Sequence, residues 1–378
     1  MKPTYFPAFD SLRFLSILAV VFQHFNTFAA NFGFTPLDIP ILPRLSFLAV
    51  QFFFAGSGFL ITYLLFWEFR SFGKLDLSSY FMRRLLRIWP GYYLLVAISF
   101  LLYYLFPVLS IPGLSESFYQ SRPELGFTPN LLFLPHIIPF FLPTPPFTHH
   151  LYTIGIEEQF YLIWGLVIFY LGWRFKTWMP MLLLAILFLT LLHDLFYDCR
   201  FSEGVNSFLR LCWSAITYVR YSRISTFLIG SLCAIAVIRE QRWLALFSHS
   251  TGRLVFQILF LASLLFVNFQ FWGADELGAL LMMGCLLFAH YDARQNTFLK
   301  QPKLRWLGKI SFGIYLYHII AISIAFNLIR GADLDVNGVA LLAAAIAATA
   351  LSVLFGWISY RYFERIFLNI QVRFRKYG

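Results

Sequence analysis

Phe9-Asp10-Ser11-Leu12-Arg13-Phe14-Leu15-Ser16-Ile17-Leu18-Ala19-Val20-Val21-Phe22-Gln23-His24 decides the fold. The stretch reads as a membrane helix that carries two ionisable groups it cannot show to lipid. From Arg13 to His24 is eleven residues. At roughly 100° per residue that is three turns plus about 20°, so both side chains share one helix face, roughly 16 Å apart along the axis. An ionisable residue in an apolar span costs about 2.5–3.5 kcal/mol or more unless it faces protein or water. The shared stripe therefore predicts a polar interior path, cationic at one end and able to transfer protons at the other.

Composition agrees. Of the 378 residues 60% are hydrophobic and only 12% charged, and mean hydropathy is +0.71. Apolar runs of about 17–25 residues recur along the chain and use up its length. The expectation is one transmembrane domain over residues 1–378, an all-α polytopic helix bundle with no appended extracytoplasmic domain. The first span lacks an obvious small-residue cleavage site and is expected to stay rather than be removed as a signal peptide. No internal repeat is legible.

Ten helices are expected at about 9–30, 45–66, 87–106, 151–172, 177–195, 221–238, 254–272, 277–291, 310–329 and 338–360. The net charge of +11 then resolves into loops rather than a nucleic-acid surface. About 22 of the 29 Lys and Arg fall on the side of the termini, against seven opposite: Arg44, Arg122, Arg200, Arg210, Arg220, Arg223 and Arg330. That asymmetry assigns both termini to the cytoplasm. The Pro-rich stretch 107–150, with the run NLLFLPHIIPFFL, is apolar but too short to span and reads as re-entrant or interfacial. Four cysteines are too few for a disulfide scaffold, though Cys199 and Cys212 are placed to pair in an external loop.

Four clusters carry candidate chemistry. Arg83, Arg84 and Arg87 open the third helix, with Arg83 and Arg87 on one face at i, i+4. Guanidinium forks suit phosphate, while positive-inside anchoring is the plain alternative. Glu157 and Glu158 follow His150, Leu151 and Tyr152 at the start of the fourth helix. An N-terminal helix charge is one reading. The other is that Glu157 reaches the depth of His24 and orients its imidazole as a general base. Ser57 and Gly58 lie mid-span in the second helix, where small residues serve close packing or a narrow passage better than a nucleophile. Tyr315, Tyr317 and His318 lie in the ninth helix, with His318 deep enough for a buried hydrogen-bonded role. Glu364 is expected to be an ion-pair partner at the cytoplasmic edge. His149, His193 and His290 have no metal-ligand spacing, so no metal is expected.

Taken in order, these motifs resemble membrane acyltransferase family 3, bacterial integral-membrane O-acyltransferases of surface carbohydrates. Phe9-Asp10-Ser11-Leu12-Arg13 with His24 is similar to its FDGLRG…H opening. Residues 52–62, FFFAGSGFLIT, are similar to FFVLSGFLIT. Arg83, Arg84, Arg87, Ile88 and Pro90 are similar to RRxxRIxP. His150 through Tyr161 resembles HTWSLxVEEQFY, and Ile310 through His318 resembles ISYxxYLxH. Each motif alone is weak; five in order over nearly the whole chain are specific. Tyr152 and Thr153 stand where the family usually has Trp-Ser, and Ser11 replaces a common Gly, departures that bear on the acceptor more than on the reaction.

The resemblance implies a bacterial cytoplasmic (inner) membrane enzyme. It would move an acyl group, acetyl by family default, from cytoplasmic acyl-coenzyme A (acetyl-CoA as donor substrate) to a hydroxyl of an extracytoplasmic glycan. O-antigen (lipopolysaccharide) and exopolysaccharide are the acceptors it brings forward, possibly lipid-linked. It also implies catalytic roles for His24 and Glu157, with His24 as general base or acyl carrier, and donor phosphate binding by Arg13, Arg83, Arg84 and Arg87. A channel lined by Asp10, Ser57, Gly58, His150, Tyr152, Tyr161, Tyr315 and His318 would complete the site. Membrane lipids and a separate extracytoplasmic transferase are further expected partners; nucleic acid is not. A secondary transporter, and a lipid-linked sugar polymerase or flippase, are the rival readings, the first disfavoured by the missing repeat.

Overall fold

The structure is a computed structural model that describes residues 3–113, 123–134, 145–195, 217, 219–268, 273–291, 298–331 and 338–374. Among the described residues it is all helical, with no strand. The helices that matter here are α1 (Pro7–Ala29), α2 (Ile41–Phe72), α3 (Leu77–Leu105), α4 (Pro123–Leu131), α5 (Tyr152–Leu171), α6 (Phe175–Leu195), α7 (Ile224–Ile238), α8 (Ser250–Phe266), α9 (Ala274–Tyr291), α10 (Pro302–Lys309), α11 (Ser311–Gly331), α12 (Gly338–Ser359) and α13 (Arg365–Gln371).

Each of the ten expected helices has a counterpart. Among the described residues, six helices are long and apolar enough to cross a membrane: those beginning at Pro7, Ile41, Leu77, His149, Ser311 and Gly338. A seventh joins them if α7 and the following turn Arg242–Ser248, bent by 97°, count as one span. Three of the remaining helices are set apart by local features. α7 has 15 residues and α8 has 17, about 23 and 26 Å of helix against a hydrocarbon core of about 30 Å. α9 carries Asp275 and Glu276 in its first turn and His290 in its last.

α2 is the central mast, 32 residues or about 48 Å long. Small residues let its backbone meet α7: a Cβ on Gly58 would collide with the Phe227 carbonyl, and one on Gly230 with the Ala55 carbonyl. The same device seats α10 on α1, where Gly308 faces the Asp10 backbone, and α11 on α12, where Gly313 faces Gly356. The α2–α3 connection is held by polar groups. Gly73 ends α2 in the left-handed conformation (φ 69°) and its N–H donates to the Phe69 carbonyl. Asp76 caps α3 by accepting from the Ser79 N–H at 3.0 Å. Glu68 accepts from the Asp76 N–H at 3.0 Å and from Arg83 at 2.9 Å.

Within 107–150, α4 is too short to span and lies against α3: Tyr92 and Tyr93 donate to the Asn130 and Leu131 carbonyls at 2.8 and 2.9 Å. Residues 135–142 of the NLLFLPHIIPFFL run, together with Arg122, Cys199, Arg200, Arg210 and Cys212, lie outside the described residues. Cys233 and Cys285 are free thiols.

Candidate functional site

A cavity lies between α1, α2, α3, α5 and α11, enclosing about 1140 Å³ of atom-free space that is partly open to solvent. Its wall takes Arg13 and His24 from α1, Ser57 from α2, Arg84 and Arg87 from α3, and Glu157 and Tyr161 from α5. His150, Tyr152, Thr153 and Tyr315 are among the other polar lining residues, and Phe53, Ile88 and Phe312 are among its apolar members. The common face of Arg13 and His24 is what lets one helix contribute both.

Among the described residues Arg13, Arg84 and Arg87 make no ion pair and no hydrogen bond; Arg84 sits 5.5 Å over the Tyr161 ring. The Nε of Arg84 is buried without a partner. Three guanidiniums facing one cavity with their donors unspent have the chemistry to receive a polyanion.

Arg83 is not part of it. Its guanidinium turns to Glu68 at 2.9 Å and to the Phe374 carbonyl at 2.7 Å. Glu68 is only 3% exposed, and a buried carboxylate draws the nearest cation. The cavity pair on α3 is thus Arg84 and Arg87 at i, i+3, not Arg83 and Arg87 at i, i+4.

The expected pairing of His24 with Glu157 is replaced by two separate networks. His24 Nδ1 lies 2.8 Å from His318 Nε2, and His318 Nδ1 lies 2.6 Å from the Tyr315 carbonyl. Glu157 accepts from Ser57 Oγ at 3.2 Å, and the Tyr161 hydroxyl lies 2.8 Å from Ser57 Oγ and 3.1 Å from Glu157 Oε2. α5 brings its carboxylate to α2 rather than to α1. Glu158 points the other way and accepts from the Trp89 indole at 3.0 Å.

Four further positions differ from expectation. Asp10 is off the wall and accepts from the Tyr5 hydroxyl at 2.5 Å. Gly58 faces α7, because its missing side chain is what admits the Phe227 backbone. Glu364 is buried and accepts from Ser359 Oγ at 2.8 Å in a π-helical turn, Tyr360–Glu364, instead of forming an edge ion pair. His318 stands behind His24, not on the wall. Thr153, in the sequence a departure from a motif, joins the site: its hydroxyl lies 2.5 Å from that of Tyr315 on the wall. Their i, i+3 relation to His150 and His318 was the available signal.

His150 is 2% exposed, and its ring packs edge-on to Tyr315 and His318, with centroids 5.0 and 4.7 Å apart. The His150 carbonyl accepts from Tyr315 at 2.6 Å and from Thr153 at 3.1 Å. Although His24, His150 and His318 gather here, among the described residues no group of three His, Cys, Asp or Glu is arranged to hold a metal ion. The chemistry the wall offers is proton acceptance by an imidazole beside cationic anion binding.

A family model described as an acyltransferase domain matches residues 6–361. Among curated proteins the chain is similar to the peptidoglycan O-acetyltransferase OatA of Listeria monocytogenes, 28% identical over 333 residues, 83% of this chain and 49% of the relative. It is similar to the putative peptidoglycan O-acetyltransferase YrhL of Bacillus subtilis, 28% identical over 342 residues, 83% of this chain and 48% of the relative. It also resembles the O-acetyltransferase OatA of Staphylococcus aureus, 27% identical over 340 residues, 84% of this chain and 50% of the relative. The chain spans about half the length of the curated relatives it matches. No solved structure matches it.

Proposed function

The chain belongs to the acyltransferase family whose model covers it from residue 6 to 361, and from that premise we propose that it is a membrane O-acyltransferase. In this reading it moves an acetyl group from acetyl-coenzyme A to a hydroxyl of a cell-wall or cell-surface glycan. The observation that carries the reading is one cavity shared by three unpaired guanidiniums and the imidazole of His24. A long donor with phosphates at one end and a thioester at the other matches a wall that is cationic at Arg13, Arg84 and Arg87 and basic at His24.

The donor phosphates rest on those guanidiniums, and the thioester lies against His24. The acceptor hydroxyl gives its proton to the imidazole as its oxygen bonds to the thioester carbon. The tetrahedral intermediate then collapses, the carbon–sulfur bond breaks, and the thiolate takes the proton back from the imidazolium. The product is an ester and a free thiol. Glu157, Ser57 and Tyr161 line the donor's path and fix its position. A chain with cytoplasmic termini in the bacterial inner membrane takes the donor from inside. The relatives' names point to peptidoglycan as the acceptor class before O-antigen or exopolysaccharide.

Purified protein in nanodiscs with radiolabelled acetyl-CoA and peptidoglycan fragments tests this. Label is expected on the glycan, with thiol released in equal amount, and neither with His24→Ala. A wild-type protein that binds acetyl-CoA but releases no thiol would sink the enzymatic reading and favour transport.

A further inference from the structure

His318 makes no contact with the cavity, yet it is fully buried and both of its ring nitrogens are committed. A backbone carbonyl only accepts, so the 2.6 Å approach of His318 Nδ1 to the Tyr315 oxygen requires a proton on Nδ1. Neutral His318 therefore carries its lone pair on Nε2. The partner of that lone pair, 2.8 Å away, is His24 Nδ1, which must be the donor. The two ring planes are inclined by only 10° with centroids 5.1 Å apart. That separation exceeds the N···N distance by about two ring radii, so the rings meet edge to edge in nearly one plane. The lone pair of His318 is thus aimed along the bond.

We infer that His318 is the positioning residue for the proposed base: through the chain Tyr315 carbonyl, His318, His24 it holds the His24 proton on Nδ1 and leaves the lone pair on Nε2. The inference rests on the proposed base role of His24. When His24 Nε2 takes the acceptor's proton, its Nδ1–H remains donated to His318 Nε2, now as a charge-assisted bond. A second imidazole fills the place a carboxylate holds in other base pairs. It does so without adding a buried negative charge beside a wall of three cations.

The shape of the chain makes the test specific. Glutamine at 318 offers a carbonyl oxygen near the position of Nε2 and can accept from His24 Nδ1; leucine and methionine cannot. With acetyl-CoA and a soluble glycan acceptor, His318→Gln is expected to keep kcat within about tenfold of wild type. His318→Leu and His318→Met are expected to lower kcat by about 10²–10³-fold with the donor KM unchanged. Melting curves identify which apolar variant folds, and one folded variant suffices. His24→Ala runs beside them. If His24→Ala is inactive while a folded apolar variant turns over as fast as His318→Gln, the positioning role fails and the base survives. If His24→Ala itself turns over near the wild-type rate, the base reading fails first.

Discussion

Ser57 Oγ donates to Glu157 Oε1 at 3.2 Å, tying α2 to α5 on the cavity wall. A serine used as a nucleophile needs a base that takes its proton. Here the neighbour is a carboxylate that also lies 3.1 Å from the Tyr161 hydroxyl, which in turn lies 2.8 Å from the serine. No imidazole reaches Ser57 among the described residues. The three side chains tie α2 to α5 through these hydrogen bonds. Ser57→Ala is expected to keep at least a tenth of wild-type kcat, measured as thiol released from acetyl-CoA. A loss beyond about 10³-fold would restore Ser57 as a covalent carrier.

Arg83 and Arg87 lie on one helix but in different environments, and the two are separable by experiment. Arg87 is on the cavity wall with no ion-pair partner among the described residues. Arg87→Ala is expected to raise the donor KM about tenfold or more, since a charge-assisted contact to phosphate contributes about 1.5–3 kcal/mol. Arg83→Ala should leave the donor KM within about twofold. It strands the Glu68 carboxylate, buried to 3% exposure, and is expected to lower the melting temperature by several degrees, for a loss of about 2–4 kcal/mol. Equal donor KM effects from the two variants would refute this division.

Gly58 offers a contrast between packing and passage. A methyl group there would collide with the Phe227 carbonyl on α7. Gly58→Ala is therefore expected to lower folded yield and melting temperature, as overpacking of about 1–3 kcal/mol does, while the folded fraction keeps its donor KM. A Gly58→Ala protein of normal stability with an altered donor KM would put this residue back on the donor's path.

How far the sequence spoke depended on whether a residue's fate is set by its own helix. The alignment of Arg13 with His24 needs only the helical period, and both line the cavity. The helix positions follow likewise from apolar run length. Partner choice was not legible, because it is decided between helices. Nothing local to α3 says that Glu68 on α2 will claim Arg83, and nothing local to α1 says that α11 will present His318 to His24 ahead of Glu157. Span length is a separate matter, set by the thickness of a bilayer rather than by any neighbouring helix. α7 and α9 are apolar enough to be noticed, but their shortness and their end charges matter only once a bilayer thickness is imposed.

Asp275 carries a last, independent expectation. It is 2% exposed and receives three donors: Gln51 Nε2 at 2.8 Å, Arg220 Nη1 at 2.5 Å, and Arg223 Nη1. Gln51 belongs to α2, and Arg223 caps α7 in the left-handed conformation at φ 54°. One carboxylate therefore fastens α9 to α2 and holds the entry of α7 in a backbone state that costs an L-residue about 1–2 kcal/mol. Asp275→Asn keeps the size but removes the charge that two guanidiniums share. The expected loss is about 2–4 kcal/mol, read as a lower melting temperature in detergent. Donor KM should stay within about twofold, since none of these four residues is on the cavity wall. An Asp275→Asn protein that melts with the wild type would show that the cluster does not hold these helices together.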